Sequence, residues 1–574
     1  MIKYNFTETY ELDNKEVEKY INSPIYPYFI KTDKNIAMYK VCRFIKGKKS
    51  LDRNKCKDIS SYVKVEKRYV DFDTQKVKLI ISFFNGGQVI QKTIDRSMLT
   101  KSKIETLAEY GIYFNTNNPK DFLEYLGISE QFATTYLSHN QLGWDEFNGK
   151  KVFKSSRLFV PESLNLQSEY LGGLDLTPKG DRDKWFEMIK SEVIGNVPLT
   201  TVMLAGFASP LLGFLNEKYD LGSILFNLSN SSSKGKTTAA MLATSVFGNP
   251  AIDKSTMITF NATNNALVSF ASKCNSHTIA LDEAVISTAS DVTKQLYTLC
   301  AGRDKLRLNT DSELKEASTF SSFIISTAEF DLIPDSATNG IRARVFELND
   351  TFTTSAENSV KIKSTVAENY GFAGNEFIEF IMKEKIDKIE EDYLLCQKAL
   401  ITKFEEKNTF KSKGELTERV FSKLAMILQA GAYFDECFGI EIDNNLIDYL
   451  LSIEKHINEN SDRTKYLLDC ILQFIAVNEN KFITEHNCYG FPPSAPWGRI
   501  INSDSENKII ILKSKADEVF KDNKIMDSKN LLNTLRQKGI LECEKDRLYK
   551  RYRLSSKSEK QSCYIFKISF LNEN

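Results

Sequence analysis

Four histidines occur in 574 residues, and none of the ten cysteines stands in a Cys-x-x-Cys pair. Zinc ligands come as closely spaced Cys and His, so a zinc site is not expected, and the scatter of the cysteines from Cys42 to Cys563 argues against a disulfide scaffold. Reduced thiols in a cytoplasm are the expectation. Net charge is missing too: 76 Lys and Arg balance 76 Asp and Glu, so any nucleic-acid contact must come from local basic patches. The opening Met1-Ile2-Lys3-Tyr4-Asn5 is too polar for a signal peptide. The run from Val193 to Asn216 carries no charge and nearly reaches bilayer length. Asn196, Pro198, Thr200, Thr201, Ser209 and Pro210 interrupt it, so it is expected to be a buried helix packed behind a sheet, with no membrane partner.

What is present centres on Asn230-Ser231-Ser232-Ser233-Lys234-Gly235-Lys236-Thr237-Thr238. The apolar Ile224-Leu225-Phe226-Asn227-Leu228 before it is of strand type, and Ala239-Ala240-Met241-Leu242-Ala243-Thr244 after it is of helix type. Strand, small-residue loop ending Gly-Lys-Thr, then helix is the layout of a phosphate-binding P-loop. Unpaired N–H groups and the positive dipole end at the helix start welcome phosphate. Gly235 lets the backbone approach, Lys236 can reach the β- and γ-phosphates, and the Thr237 hydroxyl can take one Mg²⁺ position. ATP and Mg²⁺ are therefore the expected ligands. Asn230 stands where the pattern has its first glycine; Asn readily takes φ > 0, so the turn is expected to survive.

Strands and helices alternate from about 201 to 352, which predicts a largely parallel α/β sheet. Thr278-Ile279-Ala280-Leu281-Asp282-Glu283 is a buried-type strand ending in two carboxylates 46 residues beyond Lys236. At that position Asp282 would hold Mg²⁺ and Glu283 would polarise the attacking water. Gly302 to Lys315 predicts a β-hairpin with a polar tip near Asn309–Ser312 and the cations Lys305, Arg307 and Lys315. The next strand, Ser321 to Thr327, ends in the hydroxyls Ser326 and Thr327, either of which could sense a γ-phosphate. Asn339 to Leu348 predicts a last strand with Arg342 and Arg344 at its start. Either arginine could reach a neighbouring subunit's γ-phosphate as a finger, with Arg344 preferred.

Around this core, 1–135 predicts a mixed α+β domain with a hairpin at Asn85-Gly86-Gly87, free to bind DNA or a partner. Residues 136–200 predict an entry segment packing on the core. Residues 353–462 predict a helical lid in which Arg419, near the start of a long amphipathic helix, could aim at the nucleotide. Residues 463–574 predict a winged helix whose hairpin, over 541–567, carries eight Lys and Arg against four Asp and Glu. Lys550, Arg551 and Arg553 are its candidate DNA contacts.

Gly143-Trp144, the Asn-Ser-Ser-Ser-Lys-Gly-Lys-Thr-Thr loop, Asn261-Ala262-Thr263-Asn264, Leu281-Asp282-Glu283, the hairpin before Ser321, and Trp497-Gly498-Arg499-Ile500 together resemble a family of P-loop ATPases long labelled as a domain of unknown function. It includes MCM-like replicative helicases of staphylococcal cassette chromosomes and related mobile elements. The resemblance covers about 140 to 570 well and the N-terminal domain loosely. It implies an AAA+ homo-oligomer, a hexamer encircling single-stranded DNA, with Lys305–Lys315 as a translocation hairpin. It also implies a finger in trans at Arg342 or Arg344, a lid sensor arginine at Arg419, and a primase or polymerase of the same element as partner. MCM proteins carry Asn at the first sensor, where this chain has Ser326 or Thr327.

The expectation is thus an ATP-dependent DNA helicase of multidomain α/β fold. Two rivals stand beside it: an ATP-dependent origin-binding initiator or loader that never unwinds, and an assembly protein that uses ATP only to build a ring. The intact Asp282-Glu283 pair speaks against the latter.

Overall fold

Five short apolar runs form one parallel sheet: β1 (Ile224–Ser229), β2 (Met257–Thr259), β3 (Ile279–Asp282), β4 (Phe323–Ala328) and β5 (Val345–Leu348), in the order β2-β3-β4-β1-β5. Both faces of such a sheet are covered, so its strands read as continuous apolar stretches; β1 and β4 are buried at every position. The computed structural model describes the chain apart from residues 1–8, 34–37, 47–50, 232, 285–288, 304–306, 309–313, 316–318, 334–338, 409–414, 460–462, 485–492, 504–505, 524, 526–527, 556–558 and 568–574.

The uncharged run is helix α1 (Val197–Tyr219). It is long and apolar enough to cross a membrane, yet 78% of its most apolar window is buried in protein. It packs on β4 and on helix α2 (Lys236–Ser245), which follows the P-loop. Asn196 starts α1, its Oδ1 accepting from Leu199 N at 3.3 Å. Helix α3 (Ala289–Ala301) precedes a two-stranded antiparallel hairpin, Arg307–Leu308 with Leu314–Lys315. The hairpin is where it was expected, while its tip and Lys305 lie outside the described residues. The helical segment that follows contains α4 (Glu415–Phe438), packed along α1, and α5 (Leu446–Glu459).

The last strand departs from expectation. Asn339–Arg342 is a helical turn, closed by Ala343 N to Asn339 O at 3.1 Å, and the strand begins at Val345. The turn lets Ile341 and Ala343 both enter the core, at 1% and 0% exposure; Arg342 goes in with them at 6%.

The chain divides into two compact units, Met1–Thr177 with 381–384, and Pro178–Phe380 with Lys385–Asn574. The boundary expected at 135 falls instead at Thr177. Thr134–His139 is an inner strand of a five-stranded sheet, paired with Val63–Asp71 and Ser168–Tyr170, so cutting at 135 would split a strand. Only the second half of the expected entry segment belongs with the parallel sheet: Trp185 Nε1 donates to Ser245 Oγ of α2 at 3.0 Å. The first unit mixes helices and strands. Its Val77–Asn85 and Gln88–Asp95 strands turn at Gly86 and Gly87, both at positive φ. Arg43 there pairs with Asp121.

The C-terminal part contains α6 (Arg463–Val477), α7 (Lys513–Asp522) and α8 (Ser528–Gln537) around a core that includes Leu467, Ile471, Phe520 and Leu535. The hairpin expected as two long arms has a broken first arm. Leu541–Glu542 and Lys550–Tyr552 each pair with Gln561–Lys567, and the charged 543–549 leaves the ladder in a turn. Trp497 stacks on Phe474 at 5.7 Å, and a Cβ on Gly498 would lie 2.2 Å from Ile510 O. The Trp-Gly pair is therefore a packing device.

Candidate phosphate-binding site

Ligands of open parallel sheets bind outside the carboxyl ends of the strands. Here that edge gathers the ends of β1, β3 and β4. Asp282, 4% exposed, ends β3. Its Oδ1 accepts from Thr237 Oγ1 at 3.2 Å and from Thr327 Oγ1 at 2.6 Å. Thr327 Oγ1 in turn accepts from Glu283 N at 2.9 Å. Glu283 is exposed and held at φ 55°, a left-handed conformation that a non-glycine residue occupies at a cost. Strand alternation separates the two hydroxyl candidates. Thr327 faces Asp282 and Glu283, whereas Ser326 turns to the opposite face and donates to Asn227 Oδ1 at 2.8 Å.

The loop itself is built differently from the expectation at Asn230. Positive φ falls on Ser233 (67°) and Gly235 (82°), and Asn230 is not among the positive-φ residues. Its amide is used as an anchor. Nδ2 donates to the carbonyls of Asn349 (3.1 Å) and Asp350 (3.0 Å), and Oδ1 accepts from Ser231 N at 2.7 Å. The segment after β5 thus braces the loop. Phe352 N donates to Lys234 O at 2.9 Å, and a Cβ on Gly235 would lie 2.5 Å from the Thr353 side chain. Asn196 Nδ2 holds Phe352 O at 3.0 Å, and Tyr449 of α5 donates to Asp350 Oδ2 at 2.5 Å. No local signal marks Asp350, Thr353 or Tyr449, because each meets the loop only through the fold. Asn230→Gly restores the motif's glycine yet removes three side-chain hydrogen bonds, worth about 0.5–1.5 kcal/mol each. The expected result is a lower melting temperature, read by thermal denaturation.

Lys236 Nζ donates to the carbonyls of Asn230 (2.5 Å) and Ser231 (3.0 Å). Burial pulls its ammonium below the ordinary lysine value, with the Glu329 carboxylate opposing. Thr238 is turned inward, its Oγ1 2.7 Å from Ser359 Oγ; Ser232 lies outside the described residues. Thr237 and Asp282 present two hard oxygens side by side, the donor type Mg²⁺ selects. Among the described residues no cluster of three or more His, Cys, Asp or Glu could hold a metal.

Beneath the loop, Glu347 of β5 accepts from Asn227 Nδ2 at 2.5 Å and from Ile333 N at 2.9 Å. Burial first, and Asp331 beside it, push the Glu347 carboxyl up to about 7. A raised folded-state value stabilises the fold below the unfolded value, near 4.5, and the gain is lost as pH rises through about 7. Glu347→Gln is therefore expected to be more stable than wild type at pH 8 and to lose that advantage by pH 5. Paired thermal melts across this range check it.

The arginines and Arg419 do not join this edge. Arg344 precedes β5, at the amino ends of the strands, with its Nε buried and unpartnered. Arg419 is exposed on α4, close enough to Lys423 for the two charges to repel. Of the hairpin residues, Arg307 and Lys315 are partners in the backbone register.

In the C-terminal part Arg551 and Arg553 are exposed. Lys550 is engaged: it donates to Glu542 at 2.6 Å, and Lys508 pairs with the same carboxylate at 2.8 Å. Together they hold Glu542 down at about 2. Sequence reasoning missed a groove of about 750 Å³ whose lining includes Lys521, Lys529, Arg536, Arg547 and Tyr549. Its cations come from α7, α8 and the turn at 543–549, which no single run of sequence displays.

Comparison with known proteins gives three findings. The model of a family described as a domain of unknown function (DUF927) matches residues 29–319. A second, described as the Cch helix turn helix domain, matches residues 462–572. A solved structure titled "SCCmec type IV Cch - active helicase" is similar at a TM-score of 0.72 and 24% identity, covering 95% of this chain and 98% of that one. No curated protein matches the chain.

Proposed function

The chain belongs to the DUF927 family, whose model spans half of it, and from that premise we propose that it is an ATP-driven DNA helicase working as an MCM-like AAA+ ring, with six subunits, in the replication of a mobile element. The observation that carries this is the convergence of Thr237, Asp282, Thr327 and the Glu283 backbone beneath the Lys236 loop. That arrangement is built for phosphoryl transfer to water. In it Lys236 leaves the loop carbonyls for the β- and γ-phosphates, and the N–H groups at the start of α2 cradle them. Glu283 orients and polarises the attacking water, and its fixed backbone sets where the carboxylate projects. Thr327 ties Asp282 to Glu283, so a change at the γ-phosphate reaches β4. Thr237 and Asp282 would hold Mg²⁺, which when bound neutralises charge on the phosphates.

Residues 201–352 then form the AAA+ core, 353–462 the lid and 463–574 a winged helix in a cytoplasmic protein. The 305–315 hairpins, carrying Lys305, Arg307 and Lys315, grip one DNA strand in the channel. Arg551, Arg553 and the basic groove meet duplex DNA, and a primase or polymerase of the same element is the natural partner. The similar structure, titled an active helicase, supports this reading through its fold. The test is strand displacement on forked DNA with a 3′ or a 5′ tail. ATP-dependent unwinding by wild type is the expected result. The groove on α7 and α8 favours a second reading, an origin-binding initiator or loader. Tight duplex binding and DNA-stimulated ATPase without displacement of either fork would replace the helicase with it.

A further inference from the structure

Glu329 stands two residues beyond Thr327, where β4 has ended and the chain turns away from the sheet. The parallel ladder brings it to the P-loop. Ser229 of β1 pairs with Ala328, and Asn230 N donates to Ala328 O at 3.5 Å, so Glu329 leaves the sheet beside Asn230. The carbonyl of Asn230 is one of the two that hold Lys236 Nζ. The segment carrying Glu329 is fastened to β1 and β5. Asn227 Nδ2 donates to Phe330 O at 3.2 Å, Ser229 Oγ to Asp331 Oδ1 at 2.6 Å, and Ile333 N to Glu347 Oε1 at 2.9 Å. None of these bonds uses the Glu329 side chain, which is exposed; they set its backbone whatever that side chain carries.

The edge around Lys236 is rich in positive charge: Lys234 and Lys236 on the loop, and the N–H groups at the start of α2. Two nearby acids are already engaged. Asp282 is tied to Thr237 and Thr327, and Asp331 takes the Ser229 hydroxyl. Lys236 is half-buried, and its two partners in the loop are neutral carbonyls. Burial favours its neutral amine, and the carboxylate acting against that is Glu329. Phosphate and Glu329 therefore compete for one cation. When Lys236 turns from the Asn230 carbonyl to the phosphates, it leaves one negative charge for another. We infer that Glu329 is a positioning residue, the resident counter-charge that draws Lys236 back to the loop as the site empties and so sets how readily nucleotide leaves. This rests on the ATPase reading above and adds to it a carboxylate that the P-loop pattern does not include.

The test uses full-length Glu329→Gln and Glu329→Asp, with equilibrium titration of a fluorescent ATP analogue and stopped-flow release of the matching ADP analogue. Gln keeps the volume and removes the charge, so ATP affinity is expected to rise about tenfold and ADP release to slow by a similar factor. Both differences shrink at higher ionic strength, as expected for an exposed charge. Glu329→Asp keeps the charge one methylene shorter and returns both quantities toward wild type. Repeating the titration in Lys236→Ala locates the cause: there, adding Glu329→Gln is expected to bring no gain in affinity. Unchanged affinity and release in Glu329→Gln overturn the inference. A gain that persists without Lys236 overturns it too, since Glu329 would then repel phosphate directly. Slower single-turnover hydrolysis with affinity unchanged would place Glu329 on the attacking water and overturn it as well. All three leave the ATPase reading standing; that reading fails on a different result, unchanged ATP affinity in Lys236→Ala alone.

Discussion

Glu283→Gln is expected to lower ATP turnover by about 10²–10⁴-fold while ATP continues to bind. The carboxylate is exposed at the sheet edge, and its backbone, held at φ 55° by the Thr327 hydroxyl, is independent of what the side chain carries. Gln keeps the volume and the hydrogen-bonding capacity but cannot accept a proton from water. Binding rests on Lys236, Thr237 and the start of α2, none of which the substitution touches. Single-turnover hydrolysis beside equilibrium titration with a fluorescent ATP analogue separates the two quantities. Unwinding of forked DNA disappears with turnover. Hydrolysis at the wild-type rate would remove Glu283 from the chemistry and with it the motor.

Lys236→Ala has the second large effect, and on binding. The ammonium makes two hydrogen bonds within the loop, to Asn230 O and Ser231 O, and would exchange them for charge-assisted bonds to phosphate. Such bonds are worth about 1.5–3 kcal/mol each, so ATP affinity is expected to fall about 10–100-fold, with turnover lost at ordinary ATP concentrations. The loop should keep its path, because Asn230, Lys234 and Gly235 are braced by 349–353 independently of Lys236. A melting temperature near wild type without ATP, and no rise on adding it, is the matching thermal signature. Lys236→Arg is not a rescue, since a planar fork does not replace a point charge at the end of this stem. Unchanged affinity in Lys236→Ala would mean that the loop does not hold phosphate.

The two variants separate the roles. One binds and does not turn over; the other does not bind. An assembly protein using ATP only to form a ring would be disturbed by Lys236→Ala and indifferent to Glu283→Gln.

By itself the sequence determined the local pieces: the run into Ser229, the turn at Gly235, the helix from Lys236, the strand ending Asp282-Glu283, and the hairpin arms around 307 and 315. Each is written in consecutive residues, because strand period, helix start and turn chemistry act over a few positions. The uncharged α1 was legible as a buried helix for the same reason: its interrupting polar residues and prolines lie within it. Tertiary structure decided what depends on residues far apart. Whether Ser326 or Thr327 meets Asp282 follows from the register of β4 beside β3. Asn230 serves as an anchor because Asn349 and Asp350, some 120 residues later, offer their carbonyls. The boundary at Thr177 follows from Thr134–His139 entering a sheet begun at Val63. The closeness of Arg344, Arg419 and Lys423 exists because the first half of α4 lies near the residue that precedes β5, bringing charges from separate segments together.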